Sequence, residues 1–132
     1  PTFPVDEYTG TYSCSMTAIQ NGDVTDQDVI YEVTVTESGG DAISIFIPDV
    51  ECGPFKNGSF GAIGDISVEC SLTADENGIT TFSGETSVVL PIIYQEGTSA
   101  TLTGDFAEEG RIYFTIEIPA ALITLSFDGP IQ

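Results

Sequence analysis

From residue 8 to residue 18 the chain alternates without a break. Tyr8, Gly10, Tyr12, Cys14, Met16 and Ala18 fall on one side, and Thr9, Thr11, Ser13, Ser15 and Thr17 on the other. A period of two marks a strand with one buried and one wetted face. The design recurs along the chain. Val29, Tyr31, Val33 and Val35 alternate over 29–37, Ile43, Ile45 and Ile47 over 42–48, and Gly64, Ile66, Val68, Cys70 and Leu72 over 62–72. Phe82, Gly84, Val88 and Leu90 follow over 79–90, then Ala100, Leu102, Gly104 and Phe106 over 98–106. Ile112, Phe114, Ile116 and Ile118 mark 111–118, and Ile123, Leu125 and Phe127 mark 122–127. No window sustains the i, i+3, i+4 spacing of a helix.

Eight alternating segments with mostly short links predict an all-β fold, an eight-stranded antiparallel up-and-down barrel that closes its own edges. A two-sheet sandwich satisfies the same pattern and is the second choice. The tight-turn signals are Ser38-Gly39-Gly40-Asp41, Asp75-Glu76-Asn77-Gly78 and Glu108-Glu109-Gly110. Inward glycines at 10, 64, 84 and 104 suit strands that coil sharply. Alternate connections of such a barrel share an end. One end then receives the tight turns, and the other receives 20–28, 49–61, 91–97 and 119–121. Those latter connections are expected to be longer loops and carry Phe55, Phe60, Ile92, Ile93 and Tyr94. With the inward hydroxyls of Tyr12 and Tyr31, these residues form the candidate ligand-binding set. Apolar side chains round the mouth of an apolar barrel are a ligand entrance if the interior is hollow, and a plug if it is filled.

Charge narrows the choice of partner. Twenty-one acidic residues stand against Lys56 and Arg111, a net charge of −19 over 132 residues. Phosphate backbones and anionic headgroups repel such a surface, so nucleic acid is excluded as a partner. There is no histidine, which removes Ser-His-Asp and Cys-His nucleophiles. Nearly every carboxylate falls on an outward position or in a turn, including the Asp23, Asp26 and Asp28 loop, so the pattern offers no buried carboxylate for general acid work. The expectation is a protein that is not an enzyme, with no catalytic residues, no metal ligands and no cofactor. Three cysteines (Cys14, Cys52 and Cys70) match no zinc spacing. Cys52 and Cys70 are expected too far apart along the barrel to bridge. Residues 1–7, with two prolines, read as an extended N-terminal tether, and 8–132 as the barrel domain.

The chain resembles the calycin-like domain of small exported lipoproteins from gut Gram-negative anaerobes. The resemblance rests on Tyr8-Thr9-Gly10-Thr11, Ile63-Gly64-Asp65-Ile66-Ser67-Val68, Phe82-Ser83-Gly84, Leu102-Thr103-Gly104 and Ile123-Thr124-Leu125-Ser126-Phe127. It implies a lipocalin-like barrel exported to the periplasm or cell surface, with a membrane tether through a removed or lipidated N-terminus. It implies no established activity. In an oxidising compartment Cys14–Cys52 is the one disulfide to consider. The expected function is therefore a monomeric, extracytoplasmic barrel that binds a small apolar molecule at the long-loop end. The alternative is a protein- or glycan-interaction module that uses the same loops over a filled barrel.

Overall fold

The computed structural model describes residues 3–132. Eight strands follow one another in chain order and close into a barrel: β1 Gly10–Gln20, β2 Asp23–Gly39, β3 Ala42–Val50, β4 Gly64–Ala74, β5 Thr80–Leu90, β6 Tyr94–Asp105, β7 Arg111–Ile118 and β8 Ile123–Pro130. Every neighbour is antiparallel, and β1 pairs with β8 from Ser15↔Asp128 to Gln20↔Ile123. The closed order rules out the sandwich.

The alternation decides which side chains go inside. Tyr12, Cys14, Met16 and Ala18 of β1 are all at most 1% exposed. Ile43, Ile45 and Ile47 of β3 and Ile112, Phe114, Ile116 and Ile118 of β7 are fully buried. Outward positions on the same strands carry Thr, Ser, Asp and Glu, as in Asp65, Ser67, Glu69 and Ser71 of β4. This is the reverse of a membrane-spanning barrel, which wears its apolar band outside.

Three sequence expectations change. Residues 20–28 are not a loop. Asn21 (φ 52°) and Gly22 (φ 85°) form a two-residue hairpin, and β2 begins at Asp23. Two central residues at positive φ give the turn whose twist matches the flanking strands. The start of β2 shows no clear alternation because it pairs with β1 alone; β3 joins only from Thr34 onward. The 91–97 connection likewise contracts to 91–93, with β6 starting at Tyr94. Of the predicted long loops at that end, only 51–63 is long.

The third change is the tether. Val5–Tyr8 form one helical turn, α1, and Val5 is 4% exposed. Phe3 packs against the same core. The first two positions of the expected tether, Pro1 and Thr2, lie outside the described residues. Tyr8 lies over Phe106 with ring centroids 4.1 Å apart and planes 5° from parallel. The prolines predict an extended segment, but Val5 and Phe3 have an apolar barrel end to cover. That term outweighs local propensity.

Two of the four glycines that the sequence places inward mark close approaches. A Cβ on Gly84 would sit 2.1 Å from the Glu69 carbonyl oxygen, and one on Gly104 would sit 2.3 Å from that of Tyr113. At these points β5 crosses β4, and β6 crosses β7, with no room for a side chain. Gly64, by contrast, has open space around it. Gly84→Ala should therefore destabilise the fold by about 1–3 kcal/mol in urea unfolding, the usual cost of overpacking. Gly40→Ala, in an open turn, should change it by less than about 0.5 kcal/mol.

Candidate functional site

The 51–63 loop closes the end of the barrel opposite α1. Cys52 and Phe55 exchange two backbone hydrogen bonds, Cys52 N to Phe55 O at 3.1 Å and Phe55 N to Cys52 O at 2.8 Å. The tight turn drives the Phe55 ring into the lumen, where it is fully buried. Phe60 packs on it edge to face at 5.9 Å and remains 43% exposed. Phe55 is thus a plug.

Two side chains hold the loop in place. The Tyr31 hydroxyl accepts from the Glu51 amide at 3.0 Å and donates to the Glu51 carbonyl at 3.3 Å. Asp26 does more. Its Oδ1 accepts from the Gly53 amide and from the Thr25 hydroxyl, each at 2.7 Å, and its Oδ2 lies 2.6 Å from Lys56 Nζ. The Asp26 side chain is only 7% exposed. Burial pushes its pKa up, but the hydrogen bonds from Lys56, Gly53 and Thr25 outweigh burial and hold the carboxyl below its ordinary value. The sequence placed Asp26 in a solvated acidic loop. The available clue was that Lys56, the one lysine, needed a carboxylate.

The seven candidate residues therefore separate. Tyr12 lies towards the other end, where its hydroxyl donates to the Tyr8 carbonyl at 2.7 Å. Burial raises its pKa to about 12. Tyr31 is the loop clamp, and burial raises its pKa too. Phe55 fills the lumen. Phe60, Ile92, Ile93 and Tyr94 lie in or beside the connections of this end, exposed by 43, 59, 48 and 37%. The loop meets the 91–93 turn where a Cβ on Gly61 would lie 3.3 Å from Pro91. The Tyr94 hydroxyl donates to Ala120 O at 3.3 Å, and the Asn21 amide donates to Leu122 O at 2.9 Å. These contacts join the connections of this end into one rim.

Sequence reasoning missed Leu122, which is 63% exposed and follows a single 3₁₀ turn at Pro119–Ala121. Leu122 and Ile92 both have left-handed backbone, with φ of 56° and 80°. Such a conformation is costly for a bulky or β-branched residue. A depression of about 400 Å³ lies beside Leu122, between the 21–22 hairpin and Pro119. Phe55, Phe60, Ile92, Ile93, Tyr94 and Tyr31 do not line this depression.

All three cysteines are free and buried, so Cys14–Cys52 is not bridged. Burial pushes each thiol up to about 12, which keeps it protonated and unreactive.

Two outcomes follow. A thiol reagent at pH 8 should leave the native protein unlabelled and label three cysteines once it is unfolded. The second concerns Asp26. A lowered carboxyl pKa adds stability that is present above the ordinary aspartate value and disappears as pH falls through the folded-state value. Asp26→Asn should cost about 1–3 kcal/mol at pH 7, and the gap to the unsubstituted protein should close only below about pH 4.

No family model matches the chain, and no curated protein matches it. Among solved structures it is similar to a Bacteroides fragilis protein described as a "putative outer membrane protein", at 18% identity with a TM-score of 0.65. The match covers 96% of this chain and 52% of that one, so this chain spans about half the neighbour's length. At that identity the likeness shows the fold, an eight-stranded antiparallel barrel.

Proposed function

We propose that this protein is a non-enzymatic, extracytoplasmic interaction module whose apolar rim docks a partner protein. The carrying observation is the pair Ile92 and Leu122. Each is an aliphatic side chain at the tip of a turn, more than half exposed, on backbone that glycine or asparagine would occupy more cheaply. Strain of this kind costs about 1–3 kcal/mol per residue and collects at functional positions. Phe60, Ile93 and Tyr94 extend the same surface. Contiguous exposed apolar residues rimmed by polar ones mark contact sites.

The filled lumen favours this reading over a small apolar ligand inside the barrel, because Phe55 and the inward aliphatic residues occupy that space. Aliphatic tips offer nothing for a sugar's hydroxyls, which favours protein over glycan. With a net charge of −19, the matching surface is apolar at its centre and basic at its edge. Against enzymatic function, Asp26, whose side chain is largely covered, has a lowered pKa, whereas a general acid needs a raised one. An extracytoplasmic location is supported by the resemblance to exported lipoprotein domains and by the neighbour's description. Inert thiols suit an oxidising compartment. A lipid anchor ahead of Phe3 would attach at the α1 end and leave the rim facing away from the membrane.

The test is photo-crosslinking in the cells that make the protein. A photoreactive residue replacing Ile93 should give one discrete protein adduct, and the same residue replacing Thr103 on the wall should give none. The double variant Ile92→Asn, Leu122→Asn should lose the adduct while keeping or gaining stability, by up to about 2 kcal/mol. Equal adducts from both positions, or none from Ile93, would contradict the proposal. So would a stoichiometric lipid-sized molecule retained in native mass spectrometry.

A further inference from the structure

At the opposite end of the barrel lies a depression of about 550 Å³ that the proposed docking rim does not use. Its wall is aromatic. The stacked pair Tyr8 and Phe106 forms one side, and Tyr12, 6.4 Å from Phe106 between ring centroids, lies beneath. The rings are fixed from behind. The Tyr8 hydroxyl is 2.7 Å from Thr80 Oγ1, and Phe82 packs on Phe106 at 4.9 Å. Glu7, Glu108, Glu109 and Arg111 line the same depression. The Arg111 charge is balanced there by Glu108, at 3.4 Å, and Asp128, at 3.2 Å, which leaves Glu7 and Glu109 as the excess charge. Glu7 and Glu109 enter no ion pair among the described residues.

We infer that this depression binds a small organic cation, an alkyl- or quaternary ammonium. Aromatic faces attract a cation through the ring quadrupole, and a desolvated aromatic wall does so more strongly than an exposed one. Carboxylates at the lip add charge attraction, and the acidic surface raises the local concentration of any cation. The geometry selects an organic cation over a bare metal ion. Among the described residues no three carboxylates or thiols converge as metal ligands. The volume is also far beyond what a single ion fills, and lies within the range of small-molecule pockets.

The probes are choline, its uncharged isostere 3,3-dimethylbutan-1-ol, and Mg²⁺, titrated calorimetrically. The salt should be about 0.15 M, where charges more than ~8 Å apart are screened. The protein has five tyrosines and no tryptophan, so tyrosine fluorescence gives a second readout. Choline should bind saturably at one site, at least about tenfold more tightly than the isostere or Mg²⁺. Glu7→Gln with Glu109→Gln, both exposed, should weaken choline several-fold without disturbing the fold. Phe106→Leu keeps the packing against Phe82 and should weaken it about tenfold. The rim variant Ile92→Asn should leave it unchanged. Equal affinity for choline and the isostere, choline binding no stronger than Mg²⁺, insensitivity to the Phe106 and glutamate changes, or no binding would each overturn the inference.

Discussion

An eight-stranded barrel has an interior that side chains can just fill, and this one is filled from three directions. The inward residues of the strands supply the middle. Phe55 descends from the 51–63 loop at one end, while Val5 and the Tyr8–Phe106 stack close the other. The rest depends on that filling. It makes the strand alternation strict, since a slip of one residue would turn a core row outward. It also leaves the ends and the outer wall as the surfaces in contact with solvent.

Sealing the long-loop end requires the backbone of 51–55 to approach the core, and buried amides there need acceptors. Asp26 and Tyr31 supply them, at Gly53 and Glu51. Lys56 balances the carboxylate. A chain with nineteen excess negative charges thus uses one of its two basic residues to hold the loop that carries the plug. The other, Arg111, pairs with Glu108 and Asp128 at the opposite end.

The strands were legible because burial on one face imposes period two, and β1 from Tyr12 to Ala18 is buried where alternation placed it. Legibility failed where that constraint lapses. The early part of β2 pairs with β1 alone, so its residues do not alternate, and the Asn21-Gly22 hairpin, which carries the same dipeptide as Asn77-Gly78, is masked by the polar residues that follow it. The α1 turn was hidden by its prolines. At the candidate site, sequence parity brought Phe60, Ile92, Ile93 and Tyr94 to the correct end. It could not separate them from Phe55, because a plug and an exposed tip are both apolar residues in a connection. Leu122 went unnoticed because its exposure follows from a left-handed backbone, which no pattern of residue types records.

A filled lumen excludes apolar ligands and leaves apolar contact to the rim. Methyl-resolved NMR during titration with a twelve-carbon fatty alcohol tests this directly. Perturbed methyl signals should be confined to the rim, at Ile92, Ile93 and Leu122. Saturable shifts at Ile45, Leu102 and Ile116, all at most 1% exposed in the barrel interior, would contradict a filled lumen.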